Sequence, residues 1–220
     1  MMFKLLIKRV YGTFLPLVKG LSLAGLMVLA LASGALASPA TDAIDKFHAN
    51  LLETMKNAET WGYQKRREFL SGPVAETFNA DLMVRLASTG RYWKTFSAEE
   101  QAELGQAFLA FTLSNYASRF KGFSGQEFVT VSEEQMRGTR VMVKTKLLNK
   151  GEEIILNYVL YPDPGGGYRV IDVFQRGSVS ELAIRKSEFS PILRDQGFTG
   201  LLSLLKQMVS KLEQEAINPS

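Results

Sequence analysis

From residue 40 to residue 58 the apolar positions Ile44, Phe47, Leu51, Leu52 and Met55 recur at helical spacing, so one face of this segment is apolar and a packed helix is expected. Residues 62–89 read as helical pieces divided at Gly72-Pro73, because proline cannot donate a helix hydrogen bond and restricts the residue before it. Ser97 and Glu100 form a capping-box start for a long helix that reaches about Phe120. The apolar residues of that helix occupy two sides: Leu104, Phe108 and Phe111 on one, and Leu109, Leu113, Tyr116 and Phe120 on roughly the other. It therefore needs two apolar neighbours, either two layers of protein, or protein on one side and an apolar cavity on the other.

From Gly125 the period changes to two. Glu127 to Glu133, Arg137 to Leu148, Glu152 to Tyr161 and Gly167 to Gln175 are strand candidates rich in Val, Ile, Thr, Tyr and Phe. Turn residues at Asn149-Lys150-Gly151 and at Pro162 to Gly166 join them into a four-stranded antiparallel meander. In the second strand Val141, Val143, Thr145 and Leu147 alternate with Arg140, Met142, Lys144 and Lys146, a half-buried pattern. The third strand is apolar on both faces, with Ile154, Leu156, Tyr158 and Leu160 on one and Ile155, Val159 and Tyr161 on the other, and asks for cover on both. A charged amphipathic helix begins near Ser178, with Glu181, Arg185 and Glu188 spaced to pair on a solvated face. After a turn at Gly197, a Leu-rich helix from Leu201 to Leu212 is expected to pack on the sheet rather than on a membrane, its polar side not being basic. The expected fold is α+β: a helical part over about 40–122, the sheet over about 125–176 and C-terminal helices over about 178–215.

Charge and composition change this picture mainly at the N-terminus. Lys4, Lys8, Arg9 and Lys19, the apolar run Leu21 to Leu36 and the small-residue end Ala35-Leu36-Ala37 describe a secretory signal peptide over 1–37, with the domain over 38–220. Pro16, Lys19 and the Ala-x-Ala ending favour cleavage over an uncleaved membrane anchor. No Cys follows the site to carry a lipid. Four of the 26 Lys and Arg fall in this segment and none of the 22 Asp and Glu, so the remainder carries 22 of each sign. A neutral domain has no basic footprint for nucleic acid, and no nucleic-acid partner is expected.

Candidate chemistry is sparse. His48 is the single histidine and reads as a partly buried structural residue. The run Lys65-Arg66-Arg67 reads as a solvated helix face paired with Glu68. The glycines at 165 to 167 lie in a hairpin loop, and neither a phosphate-binding loop nor a metal-ligand spacing is present. Asp172 lies among apolar neighbours in a strand, either as a carboxylate of raised pKa or as a structurally paired one. No catalytic residue, metal or cofactor is assigned.

The order Phe78, Met83, Gly90, Trp93, Ser97, Gln101, Phe108 and Tyr116-Ala117, then strands, then Tyr168-Arg169-Val170-Ile171-Asp172-Val173, Gly177, Ser180, Arg185, Ser187-Glu188-Phe189, Gly197 and Leu201-Leu202, resembles the MlaC or toluene-tolerance family of periplasmic phospholipid-binding proteins. The resemblance covers nearly all of the chain after residue 37. It implies a twisted sheet in an NTF2-like core plus a helical part, enclosing an apolar ligand cavity. It also implies a periplasmic carrier of phospholipid between an outer-membrane lipoprotein complex and an inner-membrane ABC transporter complex. One departure is Gly177-Ser178-Val179-Ser180-Glu181-Leu182, one residue longer than the family's Gly-Val-Ser-Leu, which looks like the branch associated with hopanoid biosynthesis and makes a hopanoid an alternative cargo.

The expected lipid-binding residues are one sheet face, Val141, Val143, Leu156, Tyr158, Leu160, Val170 and Val173, and the opposed helix residues Phe108, Phe111, Leu113 and Tyr116. Two rivals remain at this stage: a small NTF2-like enzyme using Asp172 with Tyr116 or Tyr158 as acid and base, and a periplasmic adaptor without ligand.

Overall fold

The computed structural model describes residues 38–218; the expected signal peptide lies outside them. Ser38 caps α1 (Pro39–Lys56) by accepting from the Thr41 N–H at 3.2 Å, and Ile44, Phe47, Leu51 and Met55 turn inward along it. α2 (Tyr63–Thr77) runs through Gly72-Pro73 rather than breaking there. Leu70 and Val74, both fully buried, anchor the two sides of the proline, so tertiary packing outweighs the one missing backbone donor. The chain breaks instead at Phe78, which is extended and bridges Val170, and Asn79 then caps α3 (Ala80–Ala87) through the Leu82 N–H.

After the short α4 (Thr89–Trp93), α5 (Ala98–Arg119) starts with the expected capping box: the Glu100 N–H donates to Ser97 Oγ at 3.2 Å and the Ser97 N–H to Glu100 Oε2 at 2.8 Å. α5 packs on α2, α3 and α6 (Glu181–Ile217). In the run Lys65-Arg66-Arg67 the expected solvated face holds for the exposed Lys65 but not for Arg66. Arg66 is buried and caps the end of α5 by donating to the Ala117 carbonyl at 3.0 Å, and it also donates to the Trp61 carbonyl ahead of α2 at 2.6 Å.

The sheet is antiparallel and has five strands rather than four, in the order β1 (Glu127–Gln135), β2 (Val141–Asn149), β3 (Glu152–Pro162), β4 (Tyr168–Gln175) and β5 (Val179–Ser180). β2 turns into β3 at Lys150 (φ 47°) and Gly151 (φ 90°), a two-residue hairpin whose backbone matches strand twist. The fifth strand was hidden because it has two residues. Arg176 (φ 51°) and Gly177 (φ 77°) fold the chain back, and Val179 and Ser180 pair with Gln175 and Phe174. The helix expected from Ser178 therefore begins at Glu181, with Ser180 as its cap. The turn at Gly197 is one non-helical residue (φ 62°, ψ −146°) at which α6 kinks. β3 is covered on both faces only over Asn157 to Leu160; Ile154, Ile155 and Tyr161 at its ends are exposed.

Candidate functional site

A cavity of about 470 Å³ opens between α5, the β2 to β4 part of the sheet and the start of α6, and Met55 of α1, Phe78 and Met83 also line it. α5 contributes a stripe at i, i+3, i+4 spacing: Phe108, Phe111, Asn115 and Arg119. Along that stripe exposure rises from the buried phenylalanines to the exposed arginine. β3 shows the same gradient, from Tyr158, fully buried, through half-buried Leu156 to Ile154, 42 % exposed. Two independent elements thus place an apolar interior at one end and a polar mouth at the other. Asn149, Gln175 and Arg176 complete the mouth.

Of the residues expected from the sequence to line a cavity, Phe108, Phe111, Tyr116, Leu156 and Val173 do so. Leu113, Val141, Val143, Tyr158, Leu160 and Val170 lie in the solid core, each at most 8 % exposed. α1 is the reason for the sheet residues: it lies across β1, β2 and β4, and its Ile44, Phe47 and Leu51 share one core cluster with Val143, Tyr158 and Val170. Leu113 points to the other side of α5, where α2 reaches Ala117 and Ser114 through Arg66 and Arg67. Sequence reasoning missed Met55, Met83, Leu147, Ile154 and Leu182, and also the polar members Asn115 and Arg119. The latter were legible, being one and two turns beyond Phe111 on its own face.

The charged pairs of α6 form as expected, Arg185 with Glu181 at 3.4 Å and with Glu188, but not on a solvated face. The Arg185 side chain is 14 % exposed, lines the cavity and lies with its guanidinium 5.1 Å from the Phe111 ring centroid. Its Nε is buried without a partner among the described residues. Arg119 and Arg176 make no ion pair among the described residues.

Behind the cavity, His48 Nε2 and the Tyr158 hydroxyl are 3.1 Å apart, and the His48 ring stacks on Phe128 at 3.9 Å between centroids. Burial pushes the His48 pKa down to about 3, so the ring is neutral and structural. Burial likewise raises the Tyr116 and Tyr158 hydroxyls above the usual phenol range. Asp172 does not line the cavity. Its carboxylate accepts from the Val173 N–H at 2.8 Å, the Leu182 N–H at 2.9 Å and Ser180 Oγ at 2.6 Å, tying β4 to the start of α6. Burial raises its pKa and these hydrogen bonds partly offset that, so both sequence readings of Asp172 hold: raised, and structurally paired. A carboxyl engaged by three donors away from the cavity is poorly placed as an acid for a substrate held there.

The family model described as "MlaC protein" matches residues 45–207. No curated protein matches the chain. Among solved structures, a phospholipid-binding protein from Ralstonia solanacearum, in complex with a phospholipid, superposes with a TM-score of 0.69 at 20 % identity, over 80 % of this chain and 99 % of that one. At that identity the likeness is one of fold, helices with an antiparallel sheet.

Proposed function

From the premise that this chain belongs to the MlaC family, we propose that it is a lipid carrier that holds phospholipid acyl chains in the cavity and leaves the headgroup at the polar mouth. The observation that carries this reading is the gradient of the cavity wall, apolar at Phe108, Phe111, Leu156 and Val173 and polar at Asn115, Arg119, Asn149 and Arg176. A volume of about 470 Å³ lies within the ~300–1,000 Å³ of ligand cavities generally. The related fold from Ralstonia solanacearum holding a phospholipid agrees with it.

The function needs no covalent step. Burying acyl chains is favourable by ~0.8 kcal/mol per methylene relative to water, so release into water is negligible, whereas transfer between a cavity and a bilayer, both apolar, is nearly balanced. Exchange can then run either way, with direction set by partners. On this reading residues 1–37 export the chain to the periplasm. There it moves lipid between an inner-membrane ABC transporter complex and an outer-membrane lipoprotein complex, the role its family resemblance implies.

Native mass spectrometry and organic extraction of the purified protein test the reading: a co-purifying diacyl phospholipid is expected, and protein without lipid overturns it. The longer turn at Gly177 to Ser180 adjoins Arg176 at the mouth and is the one feature that favours a hopanoid. A polycyclic triterpenoid in the extract would decide for that cargo.

A further inference from the structure

The cavity mouth carries a second pattern that holding a lipid does not require. Three loops meet there: residues 120–126 after α5, the β2–β3 turn and the β4–β5 turn. Ser124 Oγ donates to Asn149 Oδ1 at 3.2 Å, joining the first two, and Gly177 of the third lies close to Ile155 near the start of β3, where a Cβ on it would stand 3.5 Å from Ile155 Cγ2. Four of the eight exposed large apolar side chains among the described residues stand on this rim: Phe123 (44 %), Ile154 (42 %), Ile155 (37 %) and Val179 (44 %). Interspersed with them are Lys56, Arg119, Lys121, Lys150 and Arg176, all exposed and none in an ion pair among the described residues. Lys56 Nζ lies 5.8 Å from the Phe123 ring centroid, so cation and apolar side chain share one surface. The acids on the same loops are Glu127, Glu152 and Glu153, the last engaged by Lys146 at 2.7 Å.

We propose that this rim docks the cavity mouth on an anionic bilayer surface, with the apolar side chains entering the headgroup zone and the cations meeting lipid phosphates. The inference rests on the carrier reading above. An exposed apolar patch marks a contact surface, and its composition decides between partners. The cores of protein interfaces are depleted in lysine, whereas apolar side chains ringed by lysine and arginine are what an anionic lipid surface takes. Seated this way, the mouth opens onto the bilayer, and an acyl chain passes between two apolar media without crossing water.

Co-sedimentation of protein recovered from an exporting host with phosphatidylcholine vesicles, with and without phosphatidylglycerol, reads the docking directly. The expected result is pelleting with the phosphatidylglycerol vesicles that weakens as salt is raised, and weakens about tenfold or more in Lys121→Glu/Lys150→Glu and in Phe123→Ser. None of these three residues lines the cavity, so extracted lipid stays at the parent level in both variants. A failed carrier reading shows as empty protein, and a failed docking as filled protein that does not pellet. Absence of pelleting by the parent, equal pelleting with neutral vesicles, or unchanged pelleting of both variants overturns the proposal and leaves the rim to a protein partner.

Discussion

Val143 and Leu156 share one face of the sheet on adjacent strands, yet they have different jobs: Val143 is fully buried under the core, and Leu156 is half-buried on the cavity wall. A glutamate tests the difference. In Val143→Glu a carboxylate is forced into packed apolar surroundings, and a loss of ~3 kcal/mol or more in denaturant unfolding is expected. In Leu156→Glu the carboxylate reaches the cavity mouth and its water, so cooperative unfolding survives while co-purifying lipid is lost; lipid retained at the parent level would remove Leu156 from the binding wall. His48 makes a separate prediction at the same scale. Its folded pKa of about 3 lies below the ordinary 6.5, so the unfolded state binds the extra proton and the stability it contributes is present above pH 6.5 and lost as pH falls toward 3. As the single histidine of the chain, it is the side chain whose ordinary pKa falls in the pH 6.5 to 5 window, where stability should fall by up to ~1.4 kcal/mol per pH unit. Asp172, its pKa raised, acts in the opposite sense, contributing stability that is lost as pH rises through its folded value. His48→Gln isolates the histidine: denaturant midpoints measured from pH 7 to 5 should lose this slope, and an unchanged slope would refute the assignment.

The two helix glycines that sequence reasoning treated as breaks separate backbone conformation from packing. A Cβ on Gly72 or on Gly197 would meet nothing within 4 Å, so any difference between their alanine variants comes from the backbone. Gly72 is helical inside α2, and Gly72→Ala should stabilise by roughly 0.5–1 kcal/mol. Gly197 sits at φ 62° and ψ −146°, a region open to glycine alone, and Gly197→Ala should cost ~1–3 kcal/mol in the same unfolding experiment. Element types were legible where the signal was local, as with the Ser97 capping box and the glycine at the β2–β3 turn. Elements were misread where tertiary contacts overrule local chemistry: Pro73 is carried inside α2 by the burial of Leu70 and Val74, and Arg66 is drawn inside to cap α5. The candidate site divides the same way. The two-sided pattern of α5 announced that some face needed a second apolar neighbour, but the path of α1 over the sheet, which turns Val143, Tyr158 and Val170 into core, has no signature in the strands it covers.

At the scale of the whole molecule, the cavity and the fold share their walls, so on the proposed carrier reading cargo and stability are coupled. Phe108 and Phe111 face the cavity from α5, Leu182 from α6, and Leu156 and Val173 from the sheet, while the same elements bury the core on their other sides. A lipid in the cavity makes contacts with all three at once that unfolding must break, and its acyl chains have no comparable site on the unfolded chain. Stability then rises as RT ln(1 + [L]/Kd), about 2.7 kcal/mol when ligand stands at 100 times Kd. For a domain of this size each kilocalorie moves Tm by ~2–4 °C, so protein as purified should melt roughly 5–11 °C above the same protein after delipidation on a hydrophobic resin. Adding phospholipid back should restore the difference in the parent and fail to do so in Leu156→Glu. Coincident melting of the filled and stripped forms would mean that whatever co-purifies lies outside these walls. A shift restored equally in Leu156→Glu would place the lipid elsewhere on the molecule.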